Sequence, residues 1–333
     1  MNPMTQPKIL AALAAAALLS LTACGTTEDA AGSSAPEETA SGESITVTDA
    51  RGKEVTLDGP ADRVVATEWN AVENLAALGV MPVGAADVKG YAQWVSAEPL
   101  DDSVTDVGVR GEPSIDTLVS LTPDVVIVTD QLVEGAIEQI EKTVPVVVVP
   151  GGDATDNLGQ MYENLDLIAT LTGTEDQAAE LRSALEAKIT DGKVAIEEAG
   201  AAGAPIAFSD AYVDAGSVSI RPFTEGSLVG NVLGELGLTD AWDVEGDPVY
   251  GLGQTDVEGL TALPEDTRFW YIANDAFGDP YQDELEDNAV WKGLPFVASG
   301  DVTRFPDSLW TFGGPSSMGQ IVDAAVEAAE AGQ

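Results

Sequence analysis

Apolar positions along this chain change their period twice. Between residues 63 and 149 short β-branched runs alternate with segments whose apolar positions follow helical spacing, the alternation expected of a largely parallel sheet covered by helices. Residues 63–67, 82–85, 125–128 and 146–149 read as strands, while 71–78 (ending at Gly79), 115–121 (behind a Ser114 cap) and 133–142 read as helices. Strand character then vanishes. Residues 157–171 and 175–199 are helical, the latter with Leu181, Ala184, Leu185 and Ile189 on one face and charges on the other, closed by Gly200, Gly203 and Pro205. A second alternating region follows, with strands at 206–209 and 268–272 and helices at 227–236, 256–263 (behind Thr255) and 316–329.

The second region echoes the first. Pro113, Ser114, Ile115, Asp116, Leu118, Leu121, Pro123 and the strand at Val125 find their counterparts in Thr255, Asp256, Val257, Glu258, Leu260, Leu263, Pro264 and the strand at Phe269. The fold class is therefore α/β, with two α/β lobes (45–172 and 201–333) joined by a long connecting helix (173–200) and a ligand cleft between the lobes. Roughly 290 residues follow Ser44, enough for two lobes with cores of their own.

Charge narrows the function. With 57 acidic against 14 basic residues the net charge is −43, which disfavours nucleic acid and polybasic contact with anionic lipid. The chain has no histidine, so the Ser/His/Asp and Cys/His triads, histidine zinc sites and the commonest haem ligand are absent together. No phosphate-binding glycine loop and no Cys-x-x-Cys occur. Cys24 is the sole cysteine, so no disulfide forms within the chain.

That cysteine closes an apolar run, 9–21, preceded by the lone charge of Lys8 and too short to span a bilayer comfortably. The pattern is a signal segment, which by itself also fits plain secretion. The tetrad Leu21, Thr22, Ala23, Cys24 resembles a bacterial lipobox. The resemblance implies cleavage after residue 23, a diacylated Cys24 and a protein tethered to the outer face of the cytoplasmic membrane. Residues 24–44, rich in Gly, Ser, Thr, Ala and Glu, read as the disordered linker of that anchor.

Over nearly all of the mature length the chain resembles the helix-hinged substrate-binding proteins of ABC transporters that take up iron complexes and cobalamin. The stretches that carry the likeness are RVV…VENLAALGVMPVG, DVGVRGEPSIDTLVSLTPDVVIV, MYENLDLIATLTG and WKGLPFVASGDV…LWTFGGPSSM. Asp240, Trp242, Tyr250, Gly251, Trp291, 294–297, Trp310, Phe312 and Gly313 follow the pattern of the ferric-hydroxamate branch, and Arg110 falls where that branch places a ligand-binding arginine. The loop Thr129, Asp130, Gln131, Leu132 departs from it by offering no tyrosine.

The resemblance implies no cofactor and no enzyme. The cargo it implies is a ferric siderophore of hydroxamate type, captured by a monomer and handed to an ABC permease. A siderophore fills the coordination positions of iron itself, so the protein needs hydrogen-bond donors and apolar faces rather than metal ligands. Arg110, Trp69 and Trp94 from the first lobe and Tyr212, Arg221, Tyr250 and Trp310 from the second are the expected lining; Trp242, Trp270 and Trp291 are expected to pack. Asp116 and Glu258 stand at equivalent places in the repeat, where the family meets its permease, although a helix N-terminus also favours carboxylates for its own sake. Seven arginines, scattered from Arg51 to Arg304, suit a neutral or cationic complex better than an anionic tricatecholate. Haem, ferric citrate or cobalamin in the same fold, and an extracellular carboxylate-dependent enzyme, remain as alternatives.

Overall fold

A computed structural model describes residues 44–332. The expected signal segment 1–23, Cys24 and all of the linker but Ser44 lie outside the described residues. Among the described residues no helix is long and apolar enough to cross a membrane.

A small antiparallel hairpin, Ile45–Thr48 with Glu54–Leu57, leads into the first lobe. The sheet there is wholly parallel, in the order Thr105–Asp106, Gly84–Ala85, Val64–Ala66, Val125–Thr129, Val146–Val149. Strands Val64–Ala66 and Val125–Thr129 are buried at every residue, as a sheet covered on both faces requires. Their side chains alternate between two cores. Val64, Ala66, Val125, Ile127, Val147 and Val149 pack beneath helices Trp69–Ala77 and Asn157–Thr172, whereas Val65, Val126, Val128, Val146 and Val148 pack with Leu118, Ile137 and Ile140.

The second sheet is mixed. Strand Arg268–Tyr271 lies parallel between Pro205–Asp214 and Val302–Arg304, and the long strand Pro205–Asp214 turns back antiparallel into Ser217–Pro222. That hairpin extends well past the short strand expected at 206–209, and its turn is Ala215–Gly216, both at positive φ (49° and 85°), the geometry of a tight two-residue hairpin loop.

Helix Glu175–Glu198 connects the two sheets. Its buried face is Ala178, Leu185, Ile189, Gly192 and Ile196; Leu181 is half-buried, and Ala184, expected on that face, is exposed. Gly192 is required by close approach, because a Cβ there would lie 2.8 Å from Leu236 and 2.9 Å from Val322 of the C-terminal helix Pro315–Ala331.

Two expectations are corrected. The helix at 256–263 is a single tight turn, Gly259–Ala262, and it is Asp256, not Thr255, that accepts from the Gly259 amide at 3.0 Å. Thr255 instead exchanges both backbone hydrogen bonds with Ile220, which holds it in extended conformation. Conversely, Val88–Trp94 is a helix that its shortness and internal glycine hide, started by Asp87, whose side chain accepts from the Gly90 amide.

Candidate functional site

The carboxyl ends of the parallel strands of both sheets point at one cavity of about 720 Å³, the place where open α/β sheets present their loops to ligands. Glu68 and Trp69 follow strand Val64–Ala66, Thr129 ends strand Val125–Thr129, Gly151 follows Val146–Val149, and Ile272 to Asn274 follow Arg268–Tyr271. The two sides are bridged at the rim. Asn274 Nδ2 and Ser308 Oγ donate to the Gln93 carbonyl at 2.8 Å each, and Asn157 Nδ2 donates to the Gly226 and Val249 carbonyls at 2.7 and 3.1 Å.

All seven side chains expected to line the cleft, namely Trp69, Trp94, Arg110, Tyr212, Arg221, Tyr250 and Trp310, line this cavity. Trp69 opens a helix, is only 3% exposed, and donates its Nε1–H to the Ala86 carbonyl. Trp94 closes a helix. Trp69, Trp94 and Trp310 form a continuous aromatic wall, with ring centroids 4.8 Å apart for Trp69 and Trp310 and 6.4 Å for Trp94 and Trp310.

Each arginine rides on an aromatic and meets a carboxylate that sequence reasoning had not singled out. Arg110 occupies the two-residue tip of the hairpin Gly108–Val109 with Glu112–Pro113. Its guanidinium lies 3.9 Å above the Trp69 ring and donates to Glu68 Oε2 at 3.3 Å. Arg221 stands mid-strand directly across from Asp210; its Nε donates to Asp210 Oδ1 at 2.9 Å and its Nη2 to Oδ2, a two-point fork. Burial raises both carboxyls above the usual carboxylate range while the paired arginines pull them back down. The charged lining is therefore two arginines against two carboxylates.

Phe312, noted only as part of the family pattern, and Phe277, not noted at all, also line the cavity. Phe312 packs edge-on against Tyr250 at 5.6 Å and touches Trp310. Phe277 is 63% exposed, yet its ring stacks on Trp94 at 5.6 Å across the cavity mouth. The Tyr250 hydroxyl is pushed up to about 12, first by burial and then by Glu68, Asp130 and Asp247, so it stays a neutral phenol at physiological pH. Trp242, Trp270 and Trp291 pack as expected, with Trp242 donating to the Phe208 carbonyl. Asp116 and Glu258 are exposed and away from the cavity, Asp116 in the first turn of helix Ile115–Ser120 and Glu258 immediately before its short turn. Among the described residues no cluster of three or more carboxylates, histidines or cysteines could hold a metal ion.

Two α/β sheets facing a bridged cavity, walled by aromatics and neutralised arginines, describe a ligand-capturing protein. Residues 64–309 match the Periplasmic binding protein family, and the chain belongs to that family; it is a binding protein and not an enzyme. The chain is 29% identical over 266 residues to the iron(3+)-hydroxamate-binding protein FhuD of Escherichia coli K12, covering 78% of this chain and 84% of that one. It is 28% identical over 297 residues to the Fe(3+)-citrate-binding protein YfmC of Bacillus subtilis, covering 89% and 88%. Among solved structures, the siderophore-binding protein FhuD of Vibrio cholerae bound to Fe3+-Desferal superposes with a TM-score of 0.71 at 26% identity, covering 81% of this chain and 98% of that one.

Proposed function

We propose that this protein captures a ferric siderophore, of hydroxamate type, outside the cytoplasmic membrane and delivers it to an ABC importer. The observation that carries the reading is the cavity itself. It offers guanidinium forks and aromatic faces and, among the described residues, no set of metal ligands, which suits a complex whose iron is already saturated by the siderophore's own oxygens. The balance of two arginines and two carboxylates favours a neutral or weakly cationic complex, because a multiply anionic tricatecholate or citrate complex would bring its charge to a lining with no net positive charge. The likeness to FhuD, named for ferric hydroxamates, agrees with this. Ferric citrate is the second reading, supported by the likeness to YfmC over most of both chains.

In this reading Arg110, Arg221, Tyr212, Tyr250, Trp69, Trp94 and Trp310 contact the cargo. Exposed Asp116 and Glu258 meet basic groups of the permease, one from each lobe, and diacylated Cys24 holds the monomer to the membrane. Titration of intrinsic tryptophan fluorescence with ferric trihydroxamates, a ferric tricatecholate, ferric citrate and haem tests the cargo. Saturable quenching by a trihydroxamate at submicromolar concentration is expected. Quenching by ferric citrate or the tricatecholate alone would overturn the hydroxamate assignment. Charge reversal of Asp116 and Glu258 together should abolish uptake and leave ligand affinity unchanged.

A further inference from the structure

Of the two carboxylates in the cavity wall, Glu68 is poorly used. It stands at the N-cap position of helix Trp69–Ala77 in extended backbone conformation, yet its side chain makes no capping bond. The carboxylate turns into the cavity, where its one hydrogen bond among the described residues is the 3.3 Å contact from Arg110 Nη1. Asp210, by contrast, is held by the two-point fork of Arg221. The same Arg110 is the arginine most free to turn toward a ligand, being at a hairpin tip and lying on the flat face of Trp69. Once Arg110 gives its fork to iron-bound oxygens, Glu68 is left desolvated with no donor. A carboxylate stranded in this way opposes binding unless the ligand itself supplies a positive donor.

We propose that Glu68 is a specificity residue that receives a protonated amine on the siderophore, so that the preferred cargo is a ferric hydroxamate carrying a pendant ammonium group. This rests on the ferric-hydroxamate reading above. The ammonium takes the place that Arg110 vacates, so Glu68 regains a positive partner while Arg110 is engaged by the iron-bound oxygens. The partial desolvation that raises the proton affinity of Glu68 also strengthens a charge-assisted bond to an amine.

The test compares a linear ferric trihydroxamate bearing a terminal primary amine with its N-acetylated form, which has the same iron centre and no positive charge. Both are titrated by fluorescence into the full chain and its Glu68→Gln and Asp210→Asn variants at neutral pH. The wild type is expected to bind the amine form roughly tenfold more tightly than the acetylated form. In Glu68→Gln the ratio falls to near one, with the acetylated form bound at least as tightly as by the wild type, and in Asp210→Asn the ratio persists. Equal binding of the two forms by the wild type overturns the inference. So does an equal loss for both forms in Glu68→Gln with the ratio intact, which would make Glu68 a prop for Arg110 only. Absence of binding by either form would overturn the hydroxamate reading itself, a result distinct from both.

Discussion

The two arginines of the cavity are presented by two hairpins, and the hairpins hold them differently. In the first lobe Arg110 occupies the two-residue tip, beside Gly111 at a φ of 79°. In the second lobe Arg221 stands within a strand whose register places Asp210 directly opposite. A tip residue has no cross-strand neighbour, so Arg110 finds only the single 3.3 Å contact to Glu68 and the face of Trp69. A mid-strand residue inherits its partner from the ladder, and Arg221 is forked onto a largely buried carboxylate. The same residue type is thus a mobile donor on one wall and a structural brace on the other. Ligand recognition falls mainly to the first, and the second, although it lines the cavity beside the cargo, mainly keeps intact the hairpin that carries Tyr212.

On one side the two walls are held together by Glu73. It projects from helix Trp69–Ala77 of the first lobe and accepts from the Gly314 amide, the Ser317 amide and Ser317 Oγ at 3.0, 2.9 and 2.7 Å, at the start of the C-terminal helix. Burial, with a smaller push from Glu98, raises its pKa to about 7 against the pull of those three donors. A carboxyl raised in the folded state binds more protons there than in the unfolded chain, so the stability it contributes is fully present below its unfolded pKa and declines as pH rises toward 7. Urea unfolding should therefore show wild-type stability falling relative to Glu73→Gln by up to about 3 kcal/mol between pH 4.5 and 7.5. A difference that stays flat or grows with pH would mean that the donors outweigh burial and that Glu73 is an ionised pin throughout.

Replacing the arginines one at a time breaks the comparison directly. Arg110→Ala should cost tenfold to hundredfold in affinity for a ferric trihydroxamate with little change in stability, because a charge-assisted donor is lost from a site that held it loosely. Arg221→Ala should change affinity less than threefold but lower unfolding stability by about 1 kcal/mol, since Asp210 is left buried without its fork; the half-exposed guanidinium keeps that cost modest. Asp210→Asn added to Arg221→Ala should recover most of the loss. Equal affinity losses for both arginines would show that Arg221 also leaves its partner for the ligand.

Much of this was legible in the residues, and the gaps have physical causes. Apolar period alone exposes strand Val146–Val149 and helix Asn157–Thr172, because the strand is an unbroken buried run of valines and the helix repeats its buried positions every three to four residues. Helix Val88–Trp94 is hidden because its signal is a single Asp87 accepting from Gly90, and seven residues interrupted by a glycine are too few to show a helical period. The hairpin Pro205–Pro222 was cut short because Tyr212, Val213 and Asp214 are exposed and break the alternation. Its turn was the usable cue: centring on Ala215 and Gly216 pairs Asp210 with Arg221 by counting outward. The expected helix after Thr255 failed because the strand Ser217–Pro222 captures Thr255 into a bridge first. Arg110 and the aromatics could be placed from the family pattern, but Glu68 carries no pattern of its own. It enters the cavity because the strand Val64–Ala66 ends just before it and the helix cap leaves its side chain free.

The smallest expected effect concerns the mouth of the cavity, where the walls differ again. The first lobe contributes Trp94 at a helix end, tied into the aromatic wall, and the second contributes Phe277 on the turn between Asn274 and Gly278, 63% exposed and supported chiefly by its stack on Trp94. A ring so exposed gains little from burial in the free protein, so its contribution is the stack, worth about 0.5–1 kcal/mol. Asn274 anchors the turn by donating to the Gln93 carbonyl, which leaves Phe277 the part free to swing. Phe277→Ala should accordingly raise both the association and the dissociation rates of a ferric trihydroxamate in stopped-flow fluorescence while the dissociation constant moves less than threefold. A large loss of affinity at unchanged association rate would instead make Phe277 a wall of the binding site, and the second lobe would then hold its cargo by contact as directly as the first.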